Sequence, residues 1–289
     1  MGLRPVGCEG SADRGQPQAD RDERERARSQ HLRKDSPSNH FRTCRTGLRT
    51  FDHVGTFFDI CKAARTAIVW SLLVEALASA LICLDPGHGT PPAIGRQREP
   101  IGPGSSVLKE KDGGGTRGEA EVVLQIAKRT RALLLARGYR VAMTRPGPTF
   151  TYGSGGNIAR AQFCNRRGAA LMLRIHADGS TDTSRRGAAM YYPAFRRGWT
   201  DDVYSRSLRA GRVIQRELVR STGARDLGLV RRSDLTGFNW ANVPVVLAET
   251  GFLTNPSEGR LLRSPGYQLR VAKGFVAGVD AFIRAPSRS

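Results

Sequence analysis

Short apolar runs alternate with stretches of helical periodicity from residue 81 to about 283, and this alternation narrows the fold more than any other feature of the chain. Runs at 81–84, 140–144, 169–176, 187–192, 227–232 and 243–248 have the length and composition of strands. Between them, residues 119–137 repeat Val123, Ile126, Ala127, Leu133 and Leu134 at helical spacing and stop at Gly138. A second helix is predicted over 157–167, with Ile158, Ala161 and Phe163 on it. A long amphipathic one is predicted over 201–221, with Tyr204, Leu208, Gly211, Ile214 and Leu218 turned inward, and a closing one over 267–283. Strand and helix in turn argue an α/β fold: one domain, a mostly parallel twisted sheet, helices on both faces. Residues 90–118 break the rhythm. They are dense in glycine and proline, include Gly113-Gly114-Gly115, and read as an irregular insertion or a weak hairpin.

The first 80 residues are different material. Residues 1–65 are mostly polar and rich in arginine and serine, without apolar periodicity in the first 50. They are expected to be a disordered extension, or one that a mis-assigned start codon has added. Lys62 and Arg65 then precede an apolar segment, 66–80, that ends Ala78-Ser79-Ala80. A basic flank, an apolar centre and an A-x-A end are the parts of a secretory signal peptide, although Glu75 interrupts the apolar centre. The segment is short and charged for a membrane span, and the strand at 81 follows with no linker. Export with cleavage near Ala80 is the expectation, to the cell wall or the periplasmic space, with no stable membrane span.

The formal charge is +20. Residues 1–80 carry 13 Lys/Arg against 10 Asp/Glu, so the excess belongs to 81–289, which holds 33 against 16. Such a surface suits an anionic partner. No stretch interleaves basic and aromatic residues and no nucleic-acid-binding motif is present, so anionic wall polymers are a better expectation than nucleic acid. Of five cysteines, only Cys83 and Cys164 fall in the predicted domain, where they form one disulfide or two buried thiols.

Chemistry collects at the ends of the apolar runs. Asp85-Pro86-Gly87-His88-Gly89 follows the first, His176 ends the third, and Glu249 follows the last, while Glu119 opens the first long helix. Ligands of open α/β sheets bind beyond the carboxyl ends of the strands, so all four side chains are expected at one edge. Two histidines and a carboxylate around an open position make a hydrolytic zinc site. A further carboxylate can carry the proton from water to the leaving group. The domain has only two histidines, which excludes a three-histidine site, and no G-x-S-x-G elbow, which argues against a serine triad.

Taken in order, these segments resemble a known family. Asp85-Pro86-Gly87-His88-Gly89, Glu119 ahead of Val123-Leu124-Gln125-Ile126-Ala127, Arg174-Ile175-His176-Ala177-Asp178, and Pro244 to Asn255 with Glu249 inside it are similar to the zinc-dependent N-acetylmuramoyl-L-alanine amidases of the type 3 amidase family. The resemblance covers about 81–285 and implies a catalytic domain of that extent. It implies Zn2+ held by His88, Glu119 and His176, with Glu249 as catalytic acid/base. It also implies hydrolysis of the amide between N-acetylmuramic acid and L-alanine in peptidoglycan.

The pattern departs from the family at Thr90, Arg174 and Asp178 and in the long spacing between His88 and Glu119. Glu121 and Glu110 are the rivals for Glu119. Asp85 is expected to support the His88 loop, to bond a ligating imidazole, or to cap the turn. Tyr191, Tyr192, Trp199, Phe238 and Trp240 are expected in the core or along a substrate groove, and Arg231 and Arg232 on a solvated face or against stem-peptide carboxylates. A non-catalytic peptidoglycan-binding or regulatory protein on the same scaffold is the alternative function, and a zinc peptidase the third.

Overall fold

The computed structural model describes residues 80–284. The expectations for 1–65 and 66–80 fall outside that range, Ala80 excepted. Among the described residues no helix is long and apolar enough to cross a membrane.

Among the described residues, eight strands and seven helices follow in order: β1 (Leu81–Pro86), α1 (Pro92–Gly95), β2 (Arg98–Pro100), β3 (Leu108–Glu110), α2 (Glu119–Ala136), β4 (Arg140–Met143), α3 (Asn157–Asn165), β5 (Leu171–Asp178), β6 (Ala188–Pro193), α4 (Tyr204–Thr222), β7 (Asp226–Arg232), α5 (Thr236–Asn239), β8 (Val245–Phe252), α6 (Pro256–Arg263) and α7 (Pro265–Arg284). The main sheet has six strands in the order β4-β1-β5-β8-β6-β7. The first four run parallel, as expected; β6 pairs antiparallel with β8, and β7 parallel with β6.

Strands buried on both faces need apolar side chains on both, which is why β1, β5 and β8 read as near-continuous apolar runs. One face packs Ile82, Leu173, Val246 and Met190 against Val123, Ile126, Ile214, Leu218, Phe275 and Val279 of α2, α4 and α7. The other packs Cys83, Met172, Val245 and Leu247 against Phe163, Cys164 and Phe238 of α3 and α5. Cys83 and Cys164 form a disulfide that ties β1 to α3.

Three expectations change. The helix predicted from 201 begins at Tyr204, because residues 198–203 form turns in which Asp201 accepts from Gly198 N. β5 and β8 run on to Asp178 and Phe252, so His176 and Glu249 lie inside strands, paired with each other, rather than beyond their ends. Helix α6, not foreseen, starts where the Asn255 side chain accepts from Ser257 N and Glu258 N, with proline in its first turn.

The insertion at 90–118 is ordered. β2 and β3 form an antiparallel hairpin, and polar contacts fasten it to the domain. Glu99 accepts from the N–H groups of Asn157 and Ile158 at the start of α3. Trp240 Nε1 donates to the Pro100 carbonyl and Asn239 Nδ2 to that of Ile101. Lys109 Nζ donates to Asp234 at 2.7 Å.

Candidate active site

β1 delivers its histidine through a strained turn. His88 has φ 59, a left-handed conformation that an L side chain adopts only when its surroundings enforce it. Two buried arginines do so. Arg160 donates to the carbonyls of Pro86 and His88, at 3.0 and 2.5 Å. Arg145 donates to the carbonyls of Pro86 and Gly87, at 3.1 and 2.6 Å.

Asp85, wholly buried, accepts from Thr144, Arg160 and Arg174 at 2.6, 2.8 and 2.8 Å. Burial alone would raise its carboxyl, but the two guanidinium charges outweigh it and hold Asp85 well below the usual range. Asp85 therefore supports the loop from below, and the carboxylate bonded to the imidazole is another one, Asp112. Its Oδ1 lies 2.7 Å from His88 Nδ1, and its Oδ2 accepts from Thr90 N.

Glu119 is the first residue of α2, beside the positive end of the helix. Its Oε1 lies 3.0 Å from His88 Nε2 and 3.1 Å from His176 Nδ1, and Thr116 N donates to its Oε2. His176 meets His88 edge to face, with ring centroids 4.9 Å apart. One ligand atom from each of His88, Glu119 and His176 falls within 4.8 Å of the other two.

This set fits a divalent metal. The donors are two imidazoles and a carboxylate, and His176 Nε2 is buried without a hydrogen-bond partner. Gly115, at φ +68, covers the cluster so closely that a Cβ there would lie 2.5 Å from both Glu119 Oε2 and His88 Nε2. Gly87 lies equally tight against His176, where a Cβ would be 2.4 Å from the ring. Without a metal, the hydrogen bonds of His88 to Asp112 and Glu119 outweigh burial and push it up to about 9, whereas burial pulls His176 down.

Glu249 stands beside His176 on the neighbouring strand, in register with it. Its Oε2 is shielded from solvent and has no hydrogen-bond partner. Burial, then the charges of Glu119 and Asp178, raise its carboxyl well above the ordinary range against the pull of Arg232 and Arg174.

Of the four expected residues, His88, Glu119 and His176 thus meet, and Glu249 stands in register beside His176 on the next strand. Glu121 and Glu110 do not join them: both are exposed, and Glu121 accepts from Gln125. Phe238 is core, Trp199 and Trp240 pack on or bond the hairpin, and Tyr191 is half-buried beneath Arg232. Sequence reasoning missed Asp112 and Arg160. The one signal for Asp112 was an acidic residue opening a glycine run, where an Asx turn forms: Gly114 N donates to its Oδ1.

Comparison with known proteins identifies the family. Residues 82–281 match the N-acetylmuramoyl-L-alanine amidase family. The chain is 31% identical over 214 residues to the N-acetylmuramoyl-L-alanine amidase LytC of Bacillus subtilis, covering 73% of this chain and 37% of LytC. It is 30% identical over 223 residues to the germination-specific N-acetylmuramoyl-L-alanine amidase of the same organism, covering 73% of this chain and 81% of that one. In three dimensions it is similar to the amidase Ami1 of Mycobacterium smegmatis, with a TM-score of 0.64, 30% identity, and coverage of 72% of this chain and 98% of Ami1. With a match over residues 82–281 and a fold of this kind, the chain belongs to the N-acetylmuramoyl-L-alanine amidase family.

Proposed function

We propose that this chain is a zinc-dependent amidase that hydrolyses the bond between the lactyl group of N-acetylmuramic acid and L-alanine in peptidoglycan. His88, Glu119 and His176 would hold the zinc. The observation that carries the reading is the convergence of these donors to within 4.8 Å beside a partnerless Glu249, in a chain of this family.

Zinc bound there supplies Lewis acidity, which polarises a carbonyl and makes water a better nucleophile. The protein's own part is acid–base chemistry and positioning. Glu249 takes a proton from the attacking water onto Oε2 and returns it to the leaving nitrogen of L-alanine. A carboxyl raised above its ordinary range holds that proton better than a free one would. Asp112 holds the His88 ring, and Arg145 and Arg160 hold its strained backbone.

The same reading has the enzyme act outside the cytoplasm, in the cell wall or periplasmic space where its substrate lies, with 66–80 as its export signal. Exposed Arg206, Arg212, Arg216 and Arg220 on α4 give it a basic flank suited to anionic wall polymers.

The test is purified protein with zinc on isolated peptidoglycan, with mass analysis of what is released. Stem peptides with a free L-alanine amino terminus are expected. Glu249→Gln is expected to release about 10²–10⁴-fold less at equal zinc content. Binding without release would favour the non-catalytic alternative, and cleavage elsewhere in the stem would favour a peptidase.

A further inference from the structure

The site extends across the sheet beyond Glu249. β6 lies beside β8 with Tyr191 opposite Leu247, so Tyr191 is on the Glu249 face, and strand geometry puts their backbones on the order of 8 Å apart. β7 lies beyond β6 and carries Arg231 and Arg232. Alternation sends these to opposite faces. Arg231 is exposed, whereas the guanidinium of Arg232 lies 5.4 Å from the centroid of the Tyr191 ring. The order across the face is therefore His88, Glu119 and His176, then Glu249, then Tyr191, then Arg232.

Arg232 is held in place. Its Nε and Nη2 donate to the two carboxylate oxygens of Asp234, at 2.8 and 2.9 Å, and Lys109 from the hairpin donates to the same carboxylate. No described hydrogen bond engages Nη1, and the side chain remains 33% exposed. A guanidinium fork oriented by one carboxylate and open on another edge suits a second carboxylate.

A substrate that crosses the strands with its scissile amide at Glu249 lays one half toward His88, Glu119 and His176 and the other over Tyr191 and Arg232. The half that carries carboxylates is the stem peptide. The acidic residue after L-alanine is joined to the next through its side chain, which leaves its α-carboxyl free or, in some walls, amidated. We propose that Arg232 is a specificity-determining residue that binds this free carboxylate over the Tyr191 ring, so that the enzyme discriminates against stem peptides amidated there. The inference rests on the amidase reading above.

The experiment compares two soluble muropeptides differing only in carboxylate against carboxamide at that position. The wild type should prefer the carboxylate. Arg232→Gln should raise KM for the carboxylate about 10–100-fold, the range of one charge-assisted hydrogen bond, with kcat little changed and the carboxamide barely affected. Arg232→Lys should restore part of the preference. Lys109→Met controls for the hairpin: it removes the second cation from Asp234 but leaves both Arg232–Asp234 hydrogen bonds, so the preference for the carboxylate should persist. A wild type that cleaves both equally, or an Arg232→Gln variant that loses both equally, overturns the assignment and leaves the amidase reading standing. A wild type that cleaves neither overturns both.

Discussion

Asp112 Oδ1 lies 2.7 Å from His88 Nδ1, so the imidazole at the end of β1 is gripped from the side away from Glu119. A carboxylate behind a ligating imidazole fixes the ring's orientation and raises its basicity. Asp112→Ala should lower zinc affinity about 10–100-fold, as measured by competition with a chromogenic chelator. An unchanged affinity would reduce Asp112 to a loop-capping residue.

Metal uptake should displace a proton. With a carboxylate on each ring nitrogen, His88 is pushed up to about 9, and so is charged at neutral pH in the metal-free protein. A ligating imidazole must be neutral. Zinc affinity should therefore rise as pH rises, about tenfold per unit, and flatten above the His88 value. Calorimetry in two buffers of different ionisation heat counts the proton released at pH 7, and a count of zero would contradict the assignment.

The buried charges beneath the site should make the fold acid-sensitive. Arg160 and Arg174 depress Asp85 below its ordinary value of 3.8. The stability it contributes is complete above that value and is lost as pH falls from there toward the lower folded one. Asp85→Ala strands two buried guanidinium groups and should cost roughly 3–5 kcal/mol at neutral pH. Denaturant melts of wild type and variant at pH 7 would read this, and a loss below 1 kcal/mol would mean that water reaches the cluster.

The Cys83–Cys164 bridge closes a sequence separation of 81 residues. Replacing both cysteines with serine should cost roughly 2–5 kcal/mol, visible as a lower denaturant midpoint. Intact-mass measurement with and without reductant checks the bridge itself, and two free thiols in the purified protein would remove the basis for the prediction.

Local pattern determined a good deal of this protein. The parallel strands were legible because a strand buried on both faces must be apolar throughout, as in Leu171–Ile175 and Val245–Ala248. The positions of His88, His176, Glu119 and Glu249 were legible because parallel strands bring their carboxyl ends to one edge. Helix α6 was overlooked although its cap, Asn255-Pro256, is local. That β6 and β7 reverse direction was not legible, since an apolar run does not encode which way it lies beside its neighbour.

What only the tertiary structure decided depends on contacts between segments far apart in the chain. Asp112 reaches His88 because the glycine-rich insertion folds back over β1. Arg160 and Arg174 converge on Asp85 from α3 and β5, 75 and 89 residues away. Arg232 and Arg231 are identical in sequence terms, and only the strand's alternation, with Asp234 and Tyr191 beside it, turns one of them toward Glu249's side of the sheet. Hydrophobic periodicity is written residue by residue, whereas a hydrogen bond across the fold exists only once packing has brought its two ends within 3 Å or so.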